Sequence, residues 1–152
     1  YDPFSCLSLE ISDKYTNIYD CLDNYTKRED LSSSDELKQF KSLTFWSLPK
    51  VLVIFFKRFD KNQQKLQYNI DFPLENLDMS KYVTGYSKSK YKYDLISVSN
   101  HVGGCNGGHY FAYCKNADKK WYKFDDNVVS TSTDISSKIV SSKAYCLFYI
   151  LK

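Results

Sequence analysis

Short runs of hydrophobic residues recur along this chain, and polar stretches with turn-forming residues separate them. The longest run, 51–59, is rich in β-branched and aromatic residues and predicts a strand buried on both faces. The polar segment 60–65 follows it, so 66–70 is the expected hairpin partner of that strand. Similar patterns predict further strands, the third and fourth forming a hairpin, at 1–11, 91–100, 109–115, 120–129 and 144–151.

Helical spacing is found in two parts of the chain. Thr16 can cap a helix by accepting a hydrogen bond from a first-turn amide, and Ile18, Leu22 and Tyr25 then share one face. This helix should end near Glu29. A helical turn is expected at 135–142. Of the other stretches, 31–34 is a polar break and 35–42 is ambiguous. Irregular chain is expected at 72–74 and 77–79, and a polar loop at 83–90. The pattern predicts an α+β fold, mostly antiparallel sheet with one or two short helices.

Glycine is concentrated in one segment: four of the five glycines fall within 101–108. Glycine adopts backbone angles that other residues avoid and lets another backbone come close. Since two strong strands flank this segment, we expect 101–108 to be a loop with a function beyond turning the chain.

His109 follows the glycine segment, and Asp125 and Asp126 stand on the next predicted strand, 120–129. A tight turn near 116–119 would bring His109 and Asp125 together. A carboxylate that accepts a hydrogen bond from an imidazole fixes its tautomer and stabilises the imidazolium, which gives two members of a Cys–His–Asp apparatus. From these residues alone, a structural histidine and an Asp-Asp turn explain the pair equally well.

The five cysteines are odd in number and contain no CxxC pair, so neither a disulfide framework nor a zinc site is expected. A reducing, intracellular compartment fits this pattern, cytoplasmic or nuclear. An activated nucleophile is not evident. Cys105 is accessible, but a glycine loop supplies neither a base in fixed geometry nor a helix N-terminus. The remaining cysteines are expected on the strand face opposite His109 (Cys114) or in buried packing (Cys6, Cys21, Cys146).

Length, composition and charge restrict the classes of protein to which this chain can belong. At 152 residues the chain suits one domain, and its aromatic fraction of 17% favours strands and recognition surfaces. The net charge of +3, without a Lys/Arg-rich run, gives no argument for nucleic acid. No apolar run approaches the roughly 20 residues that a bilayer requires. His101 and His109, eight residues apart with no nearby Cys pair, lack zinc spacing, so we expect no metal and no cofactor.

An ordered series of motifs closely resembles the C-terminal half of ubiquitin-specific protease catalytic domains, which are papain-like cysteine peptidases. The match is strongest from Leu48 to the end, and the opening 2–9 also looks like a strand of that family. The motifs, in order, are Leu-Pro-Lys-Val-Leu-Val-Ile at 48–54, Lys-Arg-Phe at 57–59, Phe-Pro-Leu at 72–74, the strand 93–101, Gly-Gly-His-Tyr-Phe-Ala-Tyr at 107–113, Trp-Tyr-Lys-Phe-Asp-Asp at 121–126 and Ala-Tyr-Cys-Leu-Phe-Tyr at 144–149.

The resemblance implies a role for each matched residue. His109 would be the catalytic base, Asp125 would orient it, and Asp126 would support them. The glycine segment would close over the C-terminal tail of ubiquitin. The residues implied to contact that tail are Phe59, His101, Gly107, Gly108 and Tyr110. The implied partners are ubiquitin and ubiquitinated proteins, with no cofactor.

The chain also departs from the family pattern. Nothing resembles the N-terminal box in which an Asn precedes the nucleophilic Cys, so we expect that segment to precede these residues in a longer protein. The fingers region, roughly 31–43, has no Cys, and therefore no zinc is expected. Phe55 and Phe56 stand where the family commonly has His-Leu.

The expectation is thus that 1–152 is the C-terminal part of a deubiquitinase catalytic domain, the palm and part of the fingers of a papain-like fold. Two alternatives remain open. One is a catalytically inactive ubiquitin-binding module. The other is a self-sufficient peptidase that uses Cys105.

Overall fold

The computed structural model describes residues 2–31, 39–131 and 136–152. Ten strands and two α-helices lie in these ranges, together with two 3₁₀ turns at Ser80–Tyr82 and Lys88–Lys90. In chain order the elements are β1 Leu7–Glu10, α1 Ile18–Thr26, β2 Glu29–Asp30, β3 Phe40–Lys41, β4 Val51–Lys57, β5 Leu77–Asp78, β6 Lys92–Gly104, β7 Gly107–Lys115, β8 Trp121–Asp125, β9 Val128–Thr131, α2 Ser136–Ile139 and β10 Ala144–Leu151.

One sheet of the described chain holds eight of these strands in the order β1-β4-β10-β6-β7-β8-β9, with β5 also paired to β6. Every pairing in it is antiparallel except that of β1 with β4. The core lies on one face, where α1 buries Ile18, Cys21 and Leu22. Leu52 and Leu147 contribute from the central strands. The predicted α+β, mostly antiparallel fold is confirmed.

Strand β4 is shorter than predicted and is not buried on both faces. It ends at Lys57, and Leu52, Ile54 and Phe56 are fully buried, whereas the residues between them are half-buried and both ends are exposed. The alternation follows from the pleat, which turns successive side chains to opposite faces. The second face of β4 therefore carries the half-buried Val53 and Phe55 outside the core.

Helix α1 begins one residue later than predicted, because Asn17 and not Thr16 is its N-cap. The Asn17 side chain accepts from the backbone N–H of Tyr19 and of Asp20, and Asp20 accepts in return from the backbone N–H of Asn17. This is a capping box, which satisfies amides that the first helical turn leaves free. The helix ends at Thr26, before the predicted Glu29, which instead pairs with β3.

Other predicted boundaries also change. The hairpin partner at 66–70 is wrong: Phe59 and Lys65 form an isolated bridge, and Leu66 N–H donates to the Arg58 carbonyl at 2.7 Å. The predicted loop 101–108 is mostly strand, since β6 and β7 pair to Gly104↔Gly107 and leave only 105–106 as the turn. The stretch 120–129 is two strands rather than one, with a turn at 126–127.

Some predictions fall on parts of the chain that are only partly described. The polar break 31–34 and the ambiguous segment 35–42 lie largely outside the described residues, although β3 occupies the end of the second. The helical turn predicted at 135–142 is seen as Ser136–Ile139, and residue 135 lies outside the description.

Cys6, expected in buried packing, is exposed. No helix among the described residues is long and apolar enough to cross a bilayer.

Arg58 ties three separate segments of the chain together. It is fully buried, and its guanidinium donates to the carbonyls of Ala144 (2.5 Å), Leu66 (3.2 Å) and Tyr68 (3.0 Å). Burial lowers the pKa of Arg58 to about 10, which leaves it charged at neutral pH. The chain after β4 is therefore held to β10 by a buried cation that has carbonyl partners rather than a carboxylate within the described ranges.

Replacing Arg58 by Met is expected to lower the free energy of unfolding by about 2–4 kcal/mol, because one buried and two partly buried carbonyls lose a charged donor. Arg28→Met is the matched control. Arg28 is the other arginine of the chain, and its guanidinium carbon lies 3.6 Å from the Phe40 ring centroid near the surface. Its loss should cost less than about 1 kcal/mol. Urea denaturation followed by tryptophan fluorescence measures both, and equal losses would contradict the anchoring role of Arg58.

Candidate active site

The predicted His–Asp pair is formed across β7 and β8. His109 Nε2 is in hydrogen-bond contact with Asp125 Oδ1. The ladder pairs Ala112 with Phe124, and continuing it by one residue sets Phe111 opposite Asp125. His109 is then the diagonal neighbour of Asp125 on the same face, within reach of a long side chain. The His109 side chain is 49% exposed, so its ring remains accessible to a substrate.

The second oxygen of the Asp125 carboxylate also has a partner. Lys123 precedes Asp125 by two residues on β8, shares its face, and contacts Oδ2 through its ammonium. The pKa of Asp125 is held below its ordinary value, first by the hydrogen bond from Lys123 and second by that from His109. The Asp125 carboxylate is therefore ionised at neutral pH.

Asp126 follows in the β8–β9 turn with φ +51°, in the left-handed region that Asp adopts more readily than most residues. One ligand atom each of His109, Asp125 and Asp126 lies within 4.8 Å of the others. Because the ammonium of Lys123 already neutralises Asp125, a bound cation would meet repulsion there, and we assign no metal to the group.

A second group of predicted residues lies on the opposite face of the sheet. His109 and Tyr110 alternate along β7, and Tyr110 pairs with His101 across the ladder. Their ring centroids are 4.5 Å apart. Phe59 and Tyr145 contact the same imidazole, at 5.9 and 5.7 Å between centroids. We call Phe59, His101, Tyr110 and Tyr145 the aromatic cluster.

His101 is buried at the centre of the aromatic cluster, with 3% of its surface exposed. Lys65 donates from Nζ to the His101 carbonyl at 2.5 Å and lies 3.1 Å from Nδ1. An ammonium can only donate, so Nδ1 accepts and the neutral ring carries its proton on Nε2. Burial, followed by the charge of Lys65, lowers the pKa of His101.

Two of the glycines are required by close contacts inside the hairpin. A Cβ on Gly108 would lie 2.3 Å from His101 Nε2 and 2.5 Å from the Val102 carbonyl oxygen. Gly103 has φ +114°, and a Cβ there would lie 2.6 Å from Gly108 Cα. Around Gly104 and Gly107, by contrast, no described atom lies within 4 Å of such a Cβ. The glycines on the outer side of the hairpin tip are thus not explained by contacts within the fold.

The five cysteines are free, and within the described ranges no thiol is hydrogen-bonded to His109. Burial raises the pKa of Cys21 to about 12 and that of Cys146 to about 11, which keeps both protonated. Cys114 lies on the strand face opposite His109, with its sulfur 3.1 Å from Ser97 Oγ. Cys105 is exposed in the two-residue turn of the hairpin.

The structure therefore brings the predicted residues together as two groups. His109, Asp125 and Asp126 form one, Phe59, His101 and Tyr110 form the other, and Gly107 and Gly108 precede His109 between them. Sequence reasoning missed three neighbours. Lys123 could have been found, because it lies two residues before Asp125 on a predicted strand and therefore shares its face. Lys65 and Tyr145 had no local signal, since they reach His101 from distant segments.

Residues 8–149 match the family described as "Ubiquitin carboxyl-terminal hydrolase". Among curated proteins, ubiquitin carboxyl-terminal hydrolase 15 of Homo sapiens is 41% identical over 148 residues, which cover 89% of this chain and 15% of that protein. Ubiquitin carboxyl-terminal hydrolase 4 of Mus musculus is 41% identical over 143 residues, covering 86% of this chain and 15% of that protein. The chain thus spans about 15% of the length of these curated relatives.

Solved structures give the same match. The Ubp8-containing SAGA DUB module bound to monoubiquitin superimposes with a TM-score of 0.83 at 36% identity, covering 99% of this chain and 36% of that chain. The same module bound to ubiquitin aldehyde gives a TM-score of 0.83 at 35% identity, with the same coverage of 99% and 36%.

Gly108→Ala is expected to destabilise the fold by roughly 1–3 kcal/mol, because the new methyl group collides with the His101 ring and the strand behind it. Gly107→Ala, the neighbouring control, has open space and should change stability by less than about 1 kcal/mol. Urea unfolding measures both variants. Equal effects would show that the Gly108 contact with His101 does not constrain the hairpin.

The lowered pKa of His101 predicts a stability that falls on acidification. The unfolded chain binds a proton at His101 near pH 6.5, whereas the folded chain binds it only at lower pH, so the free energy of unfolding decreases below about pH 6.5. Unfolding in urea at about pH 7.5 and about pH 5.5 should show a larger loss for the parent than for His101→Gln. A loss of parental size in His101→Gln would contradict the assignment.

Proposed function

The chain belongs to the ubiquitin carboxyl-terminal hydrolase family of cysteine-type deubiquitinases, and from this premise we propose that it supplies the base and its orienting acid for thiol-dependent hydrolysis at the ubiquitin C-terminal glycine. The observation that carries the proposal is the contact of His109 Nε2 with Asp125 Oδ1 at an accessible strand position. A base oriented by a carboxylate is what activation of a thiol requires.

In the first half of the reaction, His109 takes the proton of a cysteine thiol, and the thiolate attacks the carbonyl carbon of the ubiquitin C-terminal glycine. Asp125 stabilises the imidazolium that forms. The tetrahedral intermediate collapses when the bond to the leaving amine breaks. His109 returns its proton to that amine, and the ubiquitin remains bound as a thioester.

In the second half, His109 takes a proton from water as the water oxygen attacks the thioester carbonyl. The carbon–sulfur bond breaks, and the thiolate regains the proton from His109. Ubiquitin leaves with a C-terminal carboxylic acid, which loses its proton to water and becomes a carboxylate. His109 thus serves twice as base and twice as acid.

The thiol, in this proposal, comes from a segment that is not among these 152 residues. The environments of four of the five cysteines support this. Cys21 and Cys146 are kept protonated by burial, and Cys114 lies on the wrong face of β7 for His109. Cys105 lies in a turn rather than at a helix N-terminus, so no oriented dipole favours its thiolate.

The glycine hairpin and the aromatic cluster are proposed to receive the ubiquitin tail. Tyr110 is 53% exposed although its ring rests on His101, which offers an apolar surface with a fixed orientation. Gly107 has open space that no described residue fills, so a passing backbone could approach it closely. That two similar structures are bound to monoubiquitin and to ubiquitin aldehyde supports ubiquitin as the partner.

A ubiquitin carrying a C-terminal electrophile tests the proposal. The protein translated from the whole gene should form a covalent adduct, whereas the 152-residue chain alone should form none. In the longer protein, His109→Gln should slow cleavage of a ubiquitin C-terminal amide by about 10²–10⁴-fold, because a positioned base is lost. Lys115→Gln, on the same strand and away from the site, is the control.

Two results would overturn parts of the proposal. Adduct formation by the 152-residue chain that disappears in Cys105→Ala would mean that the nucleophile is Cys105. Ubiquitin binding by the longer protein without any adduct would mean that the module recognises ubiquitin but does not cleave.

A further inference from the structure

Lys123 stands behind the His–Asp pair in a position that the reaction above does not use. Its ammonium contacts Asp125 Oδ2 and lies 4.5 Å from the centroid of the Phe111 ring. The side chains of Lys123 and Asp125 are 33% and 29% exposed, so water reaches the contact without surrounding it. His109, Asp125 and Lys123 thus form a row of three charges of alternating sign when the imidazole is protonated.

We propose that Lys123 is a positioning residue that acts through Asp125: its ammonium balances the carboxylate charge, which favours the neutral, proton-accepting form of the His109 imidazole. A carboxylate alone favours the imidazolium strongly. The Lys123 ammonium, on the carboxylate oxygen that His109 does not contact, offsets part of the attraction between carboxylate and imidazolium. It also repels the imidazolium directly, so both effects favour the neutral base. A base serves best when its proton exchanges near the working pH.

Among the described residues, Lys123 is the cation that lies close to the His109–Asp125 pair. Asp126, in the following turn, is the other nearby carboxylate and adds negative charge. On β7, Phe111 and Tyr113 share the face, and Lys115 is farther along, paired with Glu75 at 3.3 Å. The opposing positions on the outer strands, Val102 on β6 and Val128 and Ser130 on β9, do not ionise.

Removing Lys123 has two opposite consequences for the imidazole. Loss of the positive charge makes protonation easier, while a less restrained carboxylate would make it harder. Asp125 is a short side chain on a strand that is paired to both β7 and β9, so few orientations are open to it. The loss of charge should therefore prevail, and the imidazole should titrate at higher pH without Lys123.

The test is a proton NMR titration of the 152-residue chain, which has two histidines. The signal lost in His109→Gln assigns His109. In Lys123→Met, which keeps an apolar contact with Phe111, the midpoint of the His109 titration should rise by about 0.3–0.5 pH unit, the effect of one unit charge about 6 Å away in screened water. Lys123→Gln is a second neutral variant, and both should shift alike.

Two controls separate charge from structure. Lys123→Arg keeps the cation and should retain the parental midpoint, and Lys115→Met removes an ion-paired lysine from the neighbouring strand and should also retain it. An unchanged or lowered midpoint in both neutral variants would overturn the proposal, and so would a rise of equal size in Lys115→Met. The proposal rests on the proposed function only for the role of His109 as a base. The titration itself needs no thiol, so a longer protein that forms no adduct would contradict the proposed function without changing the titration result.

Discussion

The register of the ladder through β6, β7 and β8 is the constraint on which the candidate site depends. Side chains alternate along a strand, so a slip of one residue would turn Asp125 to the face opposite His109. The pairings Val102↔His109 and Ala112↔Phe124 place the two on one face and set His101 beside Tyr110 on the other. One ladder therefore separates the polar, charge-bearing group from the aromatic cluster and keeps both within a few residues of the same hairpin tip.

The rest of the fold supports that ladder from its inner edge. β10 lies between β4 and β6, and it shifts register around Tyr145, between Ala144 and Cys146. Such an irregularity adds a residue to one strand and redirects its side chain, here onto the imidazole of His101. Arg58 holds the Ala144 carbonyl immediately before it. A buried cation at the end of β4 thus fixes the strand from which the aromatic cluster receives one of its rings.

Much of this could be read from the residues in advance. The α+β class, the antiparallel strands and the closeness of His109 to Asp125 all follow from local alternation and from a short turn between adjacent strands, and these depend on few residues. The boundaries were less certain. The glycine segment was expected to be a loop because glycine breaks regular structure, yet most of it pairs as strand, since Gly108 lets two backbones approach over His101. The segment 66–70 has strand-like composition, but the hydrogen bonds of Arg58 hold it without a ladder.

The sequence by itself determined the family, through motifs whose order and content are specific, and it named the imidazole and carboxylate that meet on β7 and β8. The tertiary structure decided what surrounds them. Lys65 and Tyr145 reach His101 across 36 and 44 residues of chain, and only the packing of the sheet brings such distant segments together. Lys123, the partner of the second Asp125 oxygen, was within reach of sequence reasoning because the two residues share a strand face. Their contact also depends on the rotamer of each side chain. The local sequence pattern depends on the spacing of residues along the chain, whereas these contacts depend on which distant residues the fold brings close in space.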